Sequence, residues 1–467
     1  QPIQTVSLND AVIGIEDGRP TLYTTASGSG DAVFNVVDVE SNTLLRYFVL
    51  SGVNQSWRHA IAPDGTVYIA AINAGNTPSL WKYSPDTKQV ANLGNPSPGD
   101  KSLWSMTTDD AGNVYVGTYD TGRVVRYDPQ TNQYHDYGPV SPGRDYVRSM
   151  AYHDGYIYAG TGTIGQVVKL NVATGDREVI SDPLTDILGV ASASDIPFAY
   201  DMAVVDKYLV VRFDGPQYAL TFYDLEQQQW VNVKIAQTIK DKDGNDFTEI
   251  GAFGFNQLPA RNGKIYATVN RQIAEIDLTT FEARSTGISF GSALRGAAWV
   301  DFGDGPRYVT ITSNGKIVFL DVDNGTRVDR DPVVRGSGGI PLHQLETASD
   351  GRIYMSGYPG GTAAAYNPKT GQIVTFGLGQ AEGMVELDGY MYYGIYPGGY
   401  IYRSKISDAT PAPELVFQIG DEQDRPYMMT TGDGKLFIGT IPDYGKRGGA
   451  LTVYDPQSGE HRTYRNI

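Results

Sequence analysis

The sequence predicts an all-β protein built from about ten repeats of four short antiparallel strands. Three features recur roughly every 45 residues: a strand containing Val-Tyr or Ile-Tyr, a tight Asp-Gly turn before it, and a Tyr-Asp-Pro corner after it. The chain of 467 residues also contains 55 Gly and 32 Tyr, which is typical of turn-rich β-structure with half-buried aromatic side chains. Almost no helix is expected.

The second strand of each repeat provides the alignment. It contains Leu22-Tyr23, Val67-Tyr68, Val114-Tyr115, Ile157-Tyr158, Tyr208-Leu209, Ile265-Tyr266, Arg307-Tyr308, Ile353-Tyr354, Met391-Tyr392 and Leu436-Phe437. Turns such as Asp154-Gly155 and Asp388-Gly389 precede it, and these dipeptides tolerate the positive φ of a two-residue hairpin. Corners such as Tyr127-Asp128-Pro129 end the third strand, because proline cannot continue the ladder.

Four short strands per unit, with no helical period between units, form the blade of a β-propeller. Over residues 8–467 the chain resembles the broad β-propeller superfamily of lactonase-like, quinoprotein-like and virginiamycin-B-lyase-like repeats, a resemblance specific to the fold alone. One domain over 1–467 is expected, with a single closed ring favoured over a part of a longer two-propeller protein. The blades are expected near 8–50, 51–94, 95–139, 140–190, 195–240, 246–288, 289–330, 335–377, 378–418 and 420–467.

The composition predicts where the protein is located and excludes some classes of partner. The net charge of −16 argues against nucleic acid or an anionic membrane as partner, and no apolar run is long enough for a membrane helix. The absence of cysteine excludes disulfides, thiol catalysis and Cys-ligated metals. Low lysine content, and Gln1 in place of an initiator methionine, favour a secreted, extracellular or periplasmic protein.

The candidate site lies where the inner strands begin. Four residues before each turn stands a column of small or thioether residues, such as Ala60 and Met106, which is typical of core packing. Two residues further back, on the same side of each strand, the side chains are long, polar or aromatic, and a closed ring would bring them together at its central mouth. That column contains Arg58, Trp104, Arg148, Tyr200, Arg295, Gln344, Glu382 and Tyr427.

Neighbouring positions and the facing loops add more groups of the same kind. Beside the column lie Trp57, His59, Tyr146, Asp201, His343 and Arg425, and the facing loops supply Tyr119, Arg123, Tyr358, Tyr396, Tyr400, Tyr444, Lys446 and Arg447. Aromatic faces with interspersed hydrogen-bonding groups suit the apolar faces and hydroxyl rims of sugars. Convergent arginines bind carboxylates. The expected partner is therefore an acidic oligo- or polysaccharide.

Plainer interpretations remain open for several of these residues. Arg58, Arg148 and Arg295 could instead pair with acidic groups between blades, and His59 and His343 could be structural hydrogen-bonding residues. The segment 241–246, followed by Glu249, has the oxygen density of a calcium loop but lacks the EF-hand spacing, so a solvated hairpin tip is favoured and neither a metal nor a cofactor is assigned. No zinc or nucleophile-elbow motif is present in the sequence.

The combination of arginine, histidine and tyrosine resembles the sites of β-propeller polysaccharide lyases, which act by β-elimination on uronates. That resemblance implies that Arg58, Arg148 and Arg295 hold the carboxylate, and that Trp104 stacks a sugar. It further implies His59 or His343 as the base and Tyr200 or Tyr427 as the base or acid, with Gln344, Glu382 and Arg425 binding substrate. Two alternatives are kept: a propeller that binds a glycan or protein without chemistry, and a glycoside hydrolase that uses Asp201 and Glu382.

Overall fold

The computed structural model describes most of the chain. It covers residues 6–28, 30–181, 184–214, 219–235, 239–240, 246–247, 255, 257–269, 272–290, 293–339, 342–357, 362–442 and 447–466. Its contacts divide the chain into an N-terminal unit, Val6–Ser337, and a C-terminal unit that contains Gly338–Ile467.

The N-terminal unit begins with five four-stranded antiparallel meanders, each running in sequence order from its first strand outward. Single residue pairs, Tyr119 with Tyr146 and Gly162 with Phe198, join the third, fourth and fifth meanders to one another. The first sheet is β1 (Ser7–Glu16), β2 (Arg19–Ser27), β3 (Ala32–Asp38) and β4 (Thr43–Leu50). The second is β5 (Val53–Ile61), β6 (Val67–Asn73), β7 (Thr77–Ser84) and β8 (Gln89–Gly94). The third is β9 (Ser102–Thr108), β10 (Val114–Tyr119), β11 (Arg123–Asp128) and β12 (Gln133–Pro139). The fourth is β13 (Tyr146–His153), β14 (Tyr156–Gly162), β15 (Val167–Asn171) and β16 (Arg177–Val179). The fifth is β17 (Phe198–Val205), β18 (Tyr208–Asp214), β19 (Leu220–Asp224) and β20 (Gln229–Ile235).

Two further sheets complete this unit, and the sixth departs from the four-stranded pattern. It contains β21 (Ile239–Lys240), β22 (Asp246–Phe247), β23 (Lys264–Val269), β24 (Gln272–Asp277) and β25 (Ala283–Ser289). Here β23 to β25 form a meander, and the two-residue strand β21 pairs in parallel with β25. The seventh sheet is regular, with β26 (Leu294–Asp301), β27 (Pro306–Thr312), β28 (Ile317–Asp321) and β29 (Thr326–Arg330). Between the fourth and fifth sheets lie the short helix α1 (Leu184–Leu188) and a 3₁₀ turn (Ala193–Asp195).

The C-terminal unit contains three four-stranded meanders. The eighth sheet is β30 (Leu342–Thr347), β31 (Ile353–Gly357), β32 (Thr362–Tyr366) and β33 (Ile373–Gly377). The ninth is β34 (Gln380–Leu387), β35 (Tyr390–Tyr396), β36 (Tyr400–Lys405) and β37 (Glu414–Gln418). The tenth is β38 (Gln423–Gly432), β39 (Lys435–Pro442), β40 (Ala450–Asp455) and β41 (Glu460–Arg465). The all-β prediction of repeated four-stranded units is confirmed.

The turns that mark each repeat have the expected local chemistry. Asp154-Gly155 takes positive φ at both residues, at 42° and 79°, as a two-residue hairpin turn requires. At the corner after the third strand, one carboxylate oxygen of Asp128 accepts backbone N–H bonds from Gln130 and Thr131 at 2.8 and 3.2 Å. The same pair of bonds recurs at Asn171, Asp224, Asp277, Asn367 and Asp455. A side chain that mimics a backbone turn therefore ends the third strand in most repeats.

Buried clusters join each sheet of the N-terminal unit to the next one along the chain. One further cluster joins the first sheet to the seventh, with Leu22 and Val37 packed among Val309 and Ile311. Across the same junction the Asn35 side chain bonds the backbone of Arg335 twice, at 2.7 and 3.1 Å. Each of the seven sheets thus packs against two others.

This packing corrects one expectation about the ring. In a single ring of ten, the first sheet would pack against the tenth, but its buried cluster is shared with the seventh. The expected ring of ten sheets is therefore wrong, because the contacts of the first seven sheets already form a cycle of their own. The C-terminal unit has its own buried clusters between the eighth and ninth sheets and between the ninth and tenth.

Candidate functional site

Charged side chains from several inner strands and from the end of the second strand β18 meet within the N-terminal unit. We call them the arginine cluster: Arg58, Arg148, Arg212 and Arg295 with Asp10, Asp201, Asp214 and Tyr200. They come from β1, β5, β13, β17, β18 and β26, so residues almost 290 positions apart are brought together. The predicted convergence of Arg58, Arg148, Tyr200 and Arg295 is found within this one unit.

Arg58 is held by carboxylates of two other sheets. Its Nη2 lies 3.3 Å from Asp201 Oδ1, and its Nη1 lies 3.6 Å from Asp10 Oδ1. The second oxygen of Asp201 lies 2.9 Å from Arg212 Nε, and Arg212 Nη1 lies 3.1 Å from Asp214 Oδ1. The plainer interpretation, an ion pair between blades, therefore describes Arg58. Because both oxygens of Asp201 are bound by arginines, this carboxylate is poorly placed to act as a glycosidase acid.

Arg148 differs from Arg58 in its surroundings. It is only 7% exposed, and its guanidinium carbon lies 3.8 Å from the ring centre of Tyr200 and 5.2 Å from that of Trp104. No carboxylate of the described residues lies within 4.0 Å of its nitrogens. Burial lowers the pKa of Arg148, and the nearby Arg58 lowers it further, while Asp201 acts in the opposite direction. Arg148 is thus a buried cation that stacks on aromatic rings instead of pairing with an acid.

Tyr200 lies between two cations, with the Arg212 guanidinium carbon 4.0 Å from its ring centre and Arg148 on the same ring. Arg295 completes the group by donating from Nε to the Leu8 carbonyl at 3.0 Å, and burial lowers its pKa. Burial raises the pKa of Asp214 against the opposing effect of Arg212. Among the described residues, four guanidinium groups therefore meet three carboxylates.

A chain of aromatic side chains on four successive sheets includes Trp104, which contacts Arg148. We call them the aromatic arc: Trp57, Trp104, Tyr119, Tyr146 and Phe198, all half-buried. Ring centres lie 4.3 Å apart for Trp57 and Trp104, 6.0 Å for Trp104 and Tyr146, 4.1 Å for Tyr119 and Tyr146, and 5.4 Å for Tyr146 and Phe198. The buried Trp104 Nε1 has no hydrogen-bond partner among the described residues. Burial, and then the contact with Tyr119, raise the pKa of Tyr146 to about 12.

His59 has the environment of a structural residue. Its side chain is fully buried, with Nε2 2.8 Å from the Thr25 hydroxyl and Nδ1 3.2 Å from Asp10 Oδ2. The same Asp10 oxygen accepts the His59 backbone N–H at 2.6 Å. Both ring nitrogens thus contact protein groups, and neither faces a space for substrate.

The remaining predicted residues gather in the C-terminal unit around Glu382, which is 1% exposed. Glu382 accepts a hydrogen bond from Gln380 and lies 3.5 Å from His343 Nε2 and 3.7 Å from Arg425 Nη1. Arg425 stacks on Tyr396, with its guanidinium carbon 3.9 Å from the ring centre, and the rings of His343 and Tyr427 lie 6.3 Å apart. Gln344 is half-buried on the same inner strand as His343. Asp201 and Glu382, the proposed hydrolase pair, belong to different units.

The other predicted residues lie outside these two groups of side chains or outside the described part of the chain. Arg123 pairs with Asp136 at 2.7 Å on partly exposed outer strands. Met106, Met150, Met202 and Met384 are buried, as the core column predicts. Tyr358, Tyr444, Lys446 and most of the acidic segment 241–246 lie outside the described residues. Elsewhere in the described chain, no three His, Asp or Glu side chains are grouped in a way that could hold a metal ion.

The sequence reasoning missed Asp10, Arg212 and Asp214. A sequence pattern could have identified them. Arg212 and Asp214 are charged residues at the end of the otherwise apolar strand β18. Charges two residues apart on a buried strand point to the same side and need partners there. Asp10 interrupts the pattern of β1 in the same way.

Comparisons with known proteins support the fold class alone. No protein-family model matches the chain, and no curated protein matches it either. Among solved structures, PorZ, a surface component of the type-IX secretion system of Porphyromonas gingivalis, is 11% identical with a TM-score of 0.52; the match covers 99% of this chain and 60% of that one. The WD40 repeats of RRP9 are 12% identical with a TM-score of 0.49, covering 66% of this chain and 87% of that one. The extracellular domain of a proposed hybrid two component system from B. thetaiotaomicron is 11% identical with a TM-score of 0.33, covering 98% and 71%.

These findings describe a β-propeller-like repeat protein. In the part of the chain that the structure describes, no helix is long and apolar enough to cross a bilayer.

Proposed function

We propose that this chain is an extracellular or periplasmic protein that binds a uronate-containing glycan at the arginine cluster. One observation carries the proposal: Arg148 is buried, stacks on Trp104 and Tyr200, and has no carboxylate partner among the described residues. A buried cation without a counter-ion is costly, and a ligand carboxylate would lower that cost. Guanidinium groups hold carboxylates through two parallel hydrogen bonds.

The local charge supports the same ligand class. The protein carries a net charge of −16, yet its arginine cluster has one more cation than carboxylates among the described residues. An acidic surface repels polyanions in general, so a local excess of positive charge selects for an anion placed at that point. The half-buried Trp104, whose ring lies under the Arg148 guanidinium, offers an apolar face for a pyranose ring.

The extracellular setting is supported by composition and by one comparison. The chain is acidic, has few lysines and contains no cysteine. PorZ, which shares the fold class, is described as a bacterial surface component.

Calorimetric titration with uronate oligosaccharides and their neutral counterparts tests the proposal. We expect the uronate to bind and Arg148→Met to weaken binding about tenfold or more, roughly 1.4 kcal/mol. The control Arg284→Met removes an exposed arginine that pairs with Glu282, and it should leave affinity unchanged. Equal binding of the neutral glycan, or wild-type affinity in Arg148→Met, would overturn the proposal.

A second candidate, a polysaccharide lyase, is supported by the position of Tyr200. Its ring contacts both Arg148 and Arg212, and a carboxylate on Arg148 would lie close to its hydroxyl. In β-elimination a base removes the C5 proton, the C4–C5 double bond forms, the C4–O bond breaks, and the leaving oxygen takes a proton. Tyr200 is the residue we assign as that base, since His59 uses both ring nitrogens within the protein.

The lyase candidate has its own test. Ultraviolet absorbance would report new unsaturated uronate ends on mixing with substrate, and Tyr200→Phe should abolish that signal while binding persists. If the wild-type protein binds the uronate but gives no new absorbance, the lyase candidate is wrong and the binding function stands.

A further inference from the structure

We infer that the aromatic arc holds sugar rings next to the uronate on Arg148, so that the ligand is a stretch of polysaccharide of at least three units. This inference rests on the proposed function and adds the size and path of its ligand. Two aromatic pairs carry it. The rings of Trp57 and Trp104 have centres 4.3 Å apart and are tilted by 35°, and those of Tyr119 and Tyr146 stack with centres 4.1 Å apart.

The two pairs are built from neighbouring sheets and are connected. Trp57 and Trp104 come from the second and third sheets, and Tyr119 and Tyr146 from the third and fourth. The 6.0 Å contact between Trp104 and Tyr146 joins them into one aromatic surface across three sheets. Arg148 is two residues after Tyr146 on β13 and contacts Trp104, so the carboxylate-binding group adjoins both pairs.

The side chains of the two aromatic pairs are less buried than the tyrosines that fill the core. Second-strand tyrosines such as Tyr23, Tyr68 and Tyr115 are at most 2% exposed and fill the space between sheets. All four members of the two aromatic pairs are instead half-buried. Aromatic rings that keep part of their surface in solvent beside a cation are suited to the apolar faces of successive sugars in an acidic chain.

A single uronate would use only part of this surface. The Arg148 site is sufficient for one carboxylate, whereas the two aromatic pairs extend the contact region over β5, β9, β10 and β13. Each sugar stacked on an aromatic pair removes additional apolar area from water. Affinity should therefore increase with ligand length until both pairs are covered.

Titration with a series of uronate oligosaccharides, from monosaccharide to hexasaccharide, tests this inference. We expect affinity to rise through about the trisaccharide or tetrasaccharide and then level off. Trp57→Ala and Tyr119→Ala should each weaken tetrasaccharide binding about two- to tenfold and leave monosaccharide binding unchanged. Arg148→Met should weaken binding of every length.

Matched variants keep the result interpretable. Trp57→Phe should restore most of the affinity lost in Trp57→Ala, because it retains an aromatic face. Tyr47→Ala removes a tyrosine that is 41% exposed on the outer strand β4, and it should have no effect at any length. The two Ala variants act on separate pairs, so a folding defect in one does not remove the test.

The outcomes separate the inference from the proposed function. Equal affinity for all lengths, with monosaccharide binding intact, would overturn the inference and leave the proposed function standing. Absence of uronate binding at every length would overturn both.

Discussion

At the scale of single residues, burial decides which candidates can meet a ligand. His59 and Arg148 are both predicted site residues on inner strands, β5 and β13. The structure gives His59 three hydrogen-bonded contacts within the protein, whereas Arg148 is surrounded by aromatic faces. A histidine with both nitrogens engaged stabilises the fold, and an arginine without a carboxylate partner provides binding capacity.

His59→Ala should therefore reduce stability. Removing the ring leaves the buried Thr25 hydroxyl without this partner and takes one contact from Asp10, at a cost of about 2 kcal/mol. Urea unfolding measures the change, and His135→Ala, at an exposed position on β12, is the control. Unchanged stability together with a loss of ligand chemistry would show that His59 has the catalytic role instead.

Residue types were predictable, but their partners were not. The period-two column predicts that Arg58, Arg148, Tyr200 and Arg295 lie on the same side of their strands, because alternation along a strand is local. Which arginine pairs with a carboxylate depends on Asp10 and Asp201 from other sheets. That arrangement does not follow from spacing along one strand.

At the scale of strands and sheets, a charged network ties the first sheet to the second. Glu16, at the end of β1, accepts hydrogen bonds from the Tyr23 and Tyr83 hydroxyls, both at 3.0 Å, and from Lys88 at 2.9 Å. Arg46 also bonds its carboxylate. Burial alone would raise the pKa of Glu16, but the bonds from Lys88, Arg46 and the two tyrosines outweigh it and lower that pKa.

This network predicts a pH dependence of stability. Because the folded-state pKa of Glu16 lies below its unfolded value of 4.5, its contribution is complete above that pH and is lost as the pH falls toward the folded-state pKa. Glu16→Gln should cost on the order of 3 kcal/mol at neutral pH and less at about pH 4. Urea unfolding at both pH values measures the difference.

The exposed residue Glu226, at a corner after β19, provides the control for this network. Glu226→Gln should change stability little at either pH. An equal loss for Glu16→Gln at both pH values would contradict the assigned role of its charge.

At the scale of the whole molecule, the contact between the first and seventh sheets completes a cycle of packing. Gly296 lies at this junction with a φ of +66°, and a Cβ there would come within 2.3 Å of the Ala11 carbonyl oxygen. Glycine is required because both the backbone conformation and the close approach of β1 exclude a side chain.

Gly296→Ala should accordingly destabilise the N-terminal unit by more than about 2 kcal/mol, the sum of left-handed strain and a backbone clash. Gly303→Ala is a matched control, since Gly303 also has a positive φ of 91° but has open space around it. It should cost only about 1 kcal/mol. Equal costs in urea unfolding would mean that close packing at this junction contributes nothing measurable.

The cycle also predicts that residues 6–337 fold alone. Their buried clusters include every sheet-to-sheet junction from the first to the seventh and back to the first. The shortened chain should show a β-type circular dichroism spectrum, unfold cooperatively and retain uronate binding at the arginine cluster. An unfolded product would contradict the independence of this unit.

Local patterns in the sequence are sufficient to predict the all-β class of fold and to select a column of long polar and aromatic side chains as a candidate site. Strand alternation, Asp-Gly hairpins and Asp corners such as Asp128 depend on interactions within a few residues, so their pattern could be interpreted directly. The long-range contacts could not be predicted in this way: the first sheet packs on the seventh, His59 is enclosed, and Arg58 is paired while Arg148 stacks on aromatic rings. These outcomes depend on how the twist of successive sheets accumulates and on which side chains then meet across hundreds of residues.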